Sequence, residues 1–203
     1  MVSIMSFVNE PIASHMPILE MDRVEIRRFQ PDDLKELHRI LDIDLGWGES
    51  TEHRKSRMDF HIEQTSSMNP PFGYRAIVLK ESGALIGMAG LLSHYLNARQ
   101  RRLFEERLHD DEPDFNVLVT ALGYALQSRS QGHGYATEAV HALIEFAFHD
   151  LVIPEIWAMT DHENDRSIAL MQRIGMRIGV NPQSDAYPGV LGVLESRRES
   201  FAP

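Results

Sequence analysis

The stretch Gln131-Gly132-His133-Gly134-Tyr135-Ala136-Thr137-Glu138-Ala139 lies between an apolar run at 117–126 and an amphipathic helix pattern beginning near Ala136. A strand, a glycine-bearing turn and a helix start together suit the holding of a phosphate. Glycine lets the backbone come close to a ligand, and the unpaired N–H groups of a first helical turn point at an anion. Gly132 and Gly134 serve either a tight turn alone or a phosphate cradle. A dinucleotide fingerprint needs Gly or Ala where Thr137 stands, and it belongs to the first strand of its fold. The Gly-Lys-Ser/Thr of an NTPase phosphate loop is absent.

Outward from this turn, Val140, Leu143, Ile144, Ala147 and Leu151 predict the buried stripe of a helix, with Glu138, His141, Glu145 and His149 facing water. Pro154 ends that segment, and 155–160 reads as a strand. Asn164 or Asp165 caps a helix running to Ile174 and stopping at Gly175. Strand candidates follow at 177–180 and 189–194.

Upstream, 24–29 alternates as a half-buried strand does, and Pro31-Asp32-Asp33 opens a helix with Leu34, Leu37 and Leu41 on its apolar side. A second helix is expected over 50–67, closed by Asn69-Pro70-Pro71. Lys80-Glu81-Ser82-Gly83 joins strands 74–79 and 84–92 as a hairpin. Segment 95–111, charged around Leu96, Leu103, Phe104 and Leu108, reads as a short amphipathic helix in a solvated flap, with an active-site lid as the alternative. Strand 115–126 then leads back to the turn. Residues 1–20, aperiodic with Pro11 and Pro17, read as an arm, and 21–203 as a single α/β domain.

Gly123-Tyr124-Ala125-Leu126 followed by the opening stretch resembles the GCN5-related N-acetyltransferase (GNAT) superfamily, and within it the branch holding the ribosomal-protein N-terminal acetyltransferases. Asn164-Asp165-Arg166-Ser167 and Arg173-Ile174-Gly175-Met176 resemble a second signature block, and 26–34 the opening strand and helix. The resemblance implies a mixed α+β acyl-CoA N-acyltransferase fold: a central twisted, mostly antiparallel sheet flanked by helices. It implies acetyl-CoA as donor and an amine as acceptor, either a protein N-terminus or a small molecule. The N–H groups of Gln131, Gly132, His133, Gly134, Tyr135, Ala136 and Thr137 would wrap the pyrophosphate at the helix N-terminus. The pantetheine arm would lie beside Ala125 and Leu126, with the Leu126 N–H near the thioester carbonyl as an oxyanion donor. Asn164 matches a position touching the pantetheine arm, and serves equally as a helix cap. Ser167 matches a position from which a hydroxyl approaches the sulfur as a proton donor; as a plain first-turn serine it would have no chemical role.

Two positions depart from the family pattern. Met171 stands where many relatives carry a tyrosine acid, and Ala121 where many carry a glutamate base. Base candidates nearby are Asp161, His162, Glu163, His94 and Glu112. A module that binds acetyl-CoA without turnover, and a nucleotide binder unrelated to acyl transfer, are the competing readings. Tyr124, Phe148 and Trp157 fall on apolar segments and read as core. Trp47, between the first two helices, reads as cavity wall or acceptor contact.

Composition bounds the rest. The 203 residues carry a net charge of −10, which argues against a nucleic-acid surface. No apolar run has the length of a membrane span, and the pattern of residues 1–19 leads to the expectation of no secretory signal. The absence of cysteine excludes disulfides and a thiol-linked acetyl-enzyme, and fits a cytoplasmic home. The ten histidines show no metal-ligand spacing, so no metal is expected. A monomer or homodimer is expected.

Overall fold

Alternating burial along Val24–Arg27, with Val24 and Ile26 fully buried, seeds a sheet that the later apolar segments extend. The computed structural model describes residues 16–67, 69–104, 116–182 and 188–196. Its strands are β1 (Leu19–Glu20), β2 (Val24–Arg27), β3 (Gly73–Leu79), β4 (Leu85–Leu96), β5 (Val117–Leu126), β6 (Glu155–Thr160), β7 (Arg177–Val180) and β8 (Val190–Glu195). The helices are α1 (Leu34–His38), extended by a 3-10 turn before and a π turn after, α2 (Thr51–Ser67), the single turn α3 (Ala98–Arg101), α4 (Tyr135–Glu145), continued by a π turn to Asp150, and α5 (Asp165–Arg173).

The strands form one sheet in the order β1-β2-β3-β4-β5-β6-β8-β7. All pairings are antiparallel except β5 with β6, in line with the mostly antiparallel sheet that the resemblance implies. Strand β4 stays paired to β5 from Gly87↔Leu126 to Leu96↔Val117. In contrast, β5 meets β6 only at Ala121↔Trp157. Beyond Ala121 the two strands are no longer paired, which leaves that edge of β5 unpaired toward its C-terminal end.

One face carries Ile26, Ile77, Ile86, Leu122 and Leu126 beneath α4 and α5. The other carries Ala76, Val78, Met88 and Ala125 beneath α1 and α2. Each fully buried Leu, Ile or Val contributes about 1.5–3 kcal/mol. A smaller third cluster joins Leu96, Val119, Trp157 and Leu191.

Three expectations change. The end of the proposed arm belongs to the fold: Met16 is buried in the main core, and Leu19–Glu20 pairs with β2. Residues 1–15 lie outside the described residues. The solvated flap is packed at its start, because β4 runs on through Tyr95 and Leu96, and Phe104 meets Trp157 edge-on at 5.1 Å. Its continuation, 105–115, lies outside the described residues. Glu138 does not face water; its partners are given below.

Arg75 on β3 interrupts the apolar pattern. Its side chain is only 1% exposed, and its Nε and Nη2 have no hydrogen-bond partner among the described residues. Burial pushes its guanidinium down to about 10, and the neighbouring positive charge of Arg28 acts in the same direction. An unpaired buried cation is destabilising. Arg75→Met is therefore expected to raise stability by about 1–2 kcal/mol in urea unfolding at neutral pH, with unchanged m-value. A loss of stability would show that the guanidinium is satisfied in solution.

Candidate active site

The turn after β5 is pinned from several directions. The buried Gln127 side chain donates to Ser130 Oγ at 2.8 Å and accepts from Arg39 Nη2 at 2.9 Å. The Ser128 N–H donates to Asp44 Oδ2 at 2.6 Å, and Gln131 Nε2 donates to the Leu126 carbonyl at 2.9 Å. Gly132 and Gly134 sit at φ 80° and 84°, a region L side chains seldom adopt. Gly134 is the N-cap of α4 and has no side chain to cap it. The first N–H groups of the helix are thus left for an anion, with the helix dipole in support.

Glu138 locks this turn to the sheet. Its Oε1 accepts the Arg23 N–H at 2.7 Å and the Val24 N–H at 3.3 Å, and its Oε2 meets the Arg23 guanidinium at 2.8 Å. Arg23 Nη1 also donates to the His133 carbonyl at 3.0 Å, and the guanidinium lies 4.8 Å from the Tyr135 ring centre. Burial works to raise the Glu138 carboxyl, but the hydrogen bonds from Arg23 and Val24 outweigh it and hold it below the usual glutamate range. The stability it contributes is present above the ordinary range, and falls as pH drops through the lowered value. Glu138→Gln is expected to cost about 1–2 kcal/mol at pH 7 and less at pH 3, measured by urea unfolding at the two pH values.

A cavity of about 530 Å³ runs from this turn along the open end of β5 to α5. Of the residues expected to hold the donor, Ala125, Leu126, Gln131, Gly132, Gly134, Tyr135, Ala136, Thr137, Asn164 and Ser167 all line it. His133 does not; its ring stacks on Tyr135 with centroids 5.7 Å apart. Gly87↔Leu126 is a non-hydrogen-bonded pair, since the Gln127 N–H bonds the Ile86 carbonyl. The N–H of Leu126 therefore points away from β4, toward the gap where β6 has diverged.

At the α5 end, Asn164 Oδ1 accepts the Ser167 N–H at 3.2 Å, so Asn164 is the helix cap as well as part of the wall. Ser167 Oγ lies 2.6 Å from the Tyr124 hydroxyl. Tyr124 also lines the cavity, a position that sequence reasoning assigned to core. Burial raises its phenol, the Ser167 hydrogen bond acts the other way, and the net shift is upward. Arg166 and Arg173 add two cations to the wall, donating to Gln131 Oε1 and Thr137 Oγ1. Their spacing of seven along α5 places both on one side of a helix, a signal that was available in the sequence.

Trp47, 50% exposed, forms the far wall with Leu45. Beneath its ring, at 5.5 Å, lies the buried Arg54 guanidinium, which holds Asp42 through bonds of 2.8 and 2.7 Å. Met171 is fully buried and Ala121 sits at the β5–β6 contact; neither side chain carries an ionisable group, so neither supplies the acid or base found at these positions in many relatives. His94, Asp161, His162 and Glu163 do not line the cavity, and Glu112 lies outside the described residues. Among the described residues there is no cluster of three potential metal ligands, and no helix is long and apolar enough to cross a membrane.

Comparison with known proteins agrees with this geometry. Residues 23–177 match the family model described as Acetyltransferase (GNAT) domain. An uncharacterized N-acetyltransferase of Bacillus subtilis, YnaD, is 36% identical over 56 residues, 28% of this chain and 33% of that protein. The uncharacterized protein YkkB of the same organism is 34% identical over 61 residues, 30% of this chain and 36% of its own length. The matched segments thus span about a third of these curated relatives. Among solved structures, an acetyltransferase from Agrobacterium tumefaciens superposes with TM-score 0.65 at 19% identity, covering 92% of this chain and 98% of that one. A ribosomal-protein-S5-alanine acetyltransferase from Vibrio fischeri gives 0.64 at 16%, covering 93% and 100%. A ribosomal L7/L12 α-N-protein acetyltransferase in complex with coenzyme A gives 0.62 at 14%, covering 88% and 98%. With the match extending from β2 to the start of β7, this chain belongs to the GNAT acetyltransferase domain family.

Proposed function

We propose that this protein is an N-acetyltransferase that moves the acetyl group of acetyl-CoA to a primary amine by direct attack in a ternary complex. The observation that carries the reading is the continuity of one cavity from the uncapped start of α4 to the Ser167 hydroxyl, past the Leu126 N–H. Each part suits one portion of the donor. The N–H groups of residues 131–137, with Arg166 and Arg173 close by, suit the phosphates. The unpaired edge of β5 suits an extended pantetheine arm that takes the place of the diverging β6. The Leu126 N–H is a donor for the carbonyl oxygen as it gains charge, and Ser167 faces the departing sulfur.

No cysteine exists to carry an acetyl-enzyme, which favours direct transfer. None of the candidate bases that are described lines the cavity, so the amine enters in its neutral form and loses its proton to solvent after attack. Acceptors in this reading are protein N-termini, by analogy with the ribosomal-protein acetyltransferases of similar fold, or small-molecule amines.

Thermal denaturation in the presence of ligands tests the donor. CoA at a hundred times its Kd is expected to add about 2.7 kcal/mol of apparent stability. ATP and NAD at equal concentration should leave the transition in place. Protection by ATP or NAD without protection by CoA would point to a nucleotide binder instead. CoA protection without turnover on any acceptor would favour a binding module.

A further inference from the structure

We infer that the Tyr124 phenol, acting through Ser167, supplies the proton taken up by the departing CoA thiolate. This rests on the acetyltransfer reading above and goes beyond it by naming the source of the proton. The two hydroxyls are 2.6 Å apart, a strong O–H···O contact, and both line the donor cavity. They arrive from different elements. Ser167 is in the first turn of α5, its N–H held by Asn164, while Tyr124 is on β5 two residues before Leu126. Tyr124 and Leu126 both line the cavity, so the proposed oxyanion donor and the phenol serve one stretch of it. The second polar contact of the phenol, 3.4 Å to the Ser167 carbonyl, is long, which leaves Ser167 Oγ as its principal partner.

The phenol is disposed to hold a proton at neutral pH, because its burial disfavours the phenolate. An isolated serine is a poor acid; joined to a phenol it becomes a relay. The amine nitrogen bonds to the acetyl carbon, and the carbonyl oxygen takes the negative charge. On collapse the carbon–sulfur bond breaks and its electron pair stays on sulfur. Sulfur takes the Ser167 hydroxyl proton as Ser167 takes the proton of Tyr124. The tyrosinate recovers a proton from solvent, and the new amide nitrogen has released one, so the overall reaction is balanced as CoA thiol plus acetylated amine.

Steady-state kinetics on Tyr124→Phe, Ser167→Ala and the double variant test this, with solvent isotope effects measured on each. The variants are first checked for CoA protection against heat, so that only folded, donor-binding protein is compared. Tyr124→Phe is expected to lower kcat by about tenfold or more, with KM for acetyl-CoA within about twofold. The double variant should fall no further than the worse single one, because the two act in series. The curved dependence of rate on deuterium fraction expected for two moving protons should become linear in Tyr124→Phe. A phenol that only braces α5 would lower the melting temperature or raise KM, with kcat and isotope effect unchanged; that outcome overturns the proposal. Additive losses in the double variant would also overturn it. Absence of turnover by the wild-type protein on every acceptor would instead remove the acetyltransfer reading on which the proposal stands.

Discussion

Gly134→Val is expected to raise KM for acetyl-CoA by about a hundredfold, with a much smaller change in the stability of the unliganded protein. At φ 84° a β-branched residue is strained, and a Cβ there would stand 3.3 Å from Arg23 Nη2. That guanidinium also holds the His133 carbonyl and Glu138. The turn relieves both problems by changing its backbone path, and the N–H groups at the start of α4 then lose their common aim. Charge-assisted hydrogen bonds contribute about 1.5–3 kcal/mol each, so losing one or two accounts for a hundredfold. Gly134→Ala, smaller and unbranched, should show a milder form of the same effect. Titration calorimetry with CoA and steady-state KM measure it. Unchanged CoA affinity in the valine variant would mean that the pyrophosphate is held elsewhere.

Asp42→Ala is expected to be the most destabilising single substitution considered, costing about 3–5 kcal/mol. It removes the carboxylate that accepts two bonds from the buried Arg54 and one from the Glu49 N–H at 3.0 Å. Among the described residues, Arg54 then keeps the weaker contact with Glu49, at 3.3 Å, and the Trp47 ring above it. The loop between α1 and α2 carries Trp47 on this network, so the cavity wall should loosen too. Because the Arg54 hydrogen bonds hold the Asp42 carboxyl below the usual aspartate range, the stabilisation is complete above about pH 4 and fades as pH falls through the lowered value. Urea unfolding of wild type and variant at pH 7 and pH 3 should show the difference between them shrinking at the lower pH. Replacing both partners, as Asp42→Leu with Arg54→Met, should recover much of the loss, since an apolar pair leaves no charge unmatched.

The strands and helices were legible wherever periodicity met a clear terminator. Val24 to Arg27, the hairpin closed at Gly83, and α5 between Asn164 and Gly175 all followed from alternation, helical spacing and capping residues. The turn at 131–137 was legible because glycines, an uncapped helix start and a preceding strand are local features. What remained hidden depends on distant partners. Helical spacing puts Glu138 off the apolar stripe and so toward water; its partner Arg23 lies 115 positions away. Tyr124 looks like any aromatic in a strand until β6 is seen to leave β5 after Ala121, which opens space beside it. Phe104 reads as part of a charged flap because Trp157, which it meets edge-on, comes from the distant strand β6. Arg75 falls in an otherwise apolar strand, and no local feature of the sequence shows that its guanidinium is buried.

In the proposed reading, one cavity holds acetyl-CoA and delivers its acetyl group to an amine. Incubating the protein with acetyl-CoA and a panel of small amines and N-terminal peptides, while quantifying free CoA thiol and acetylated product together, tests it most directly. The expected result is equal formation of thiol and N-acetylated product on at least one acceptor, abolished in Gly134→Val at low donor concentration and restored in part at high concentration. Thiol release without an acetylated amine, or neither product on any acceptor despite tight CoA binding, would contradict it.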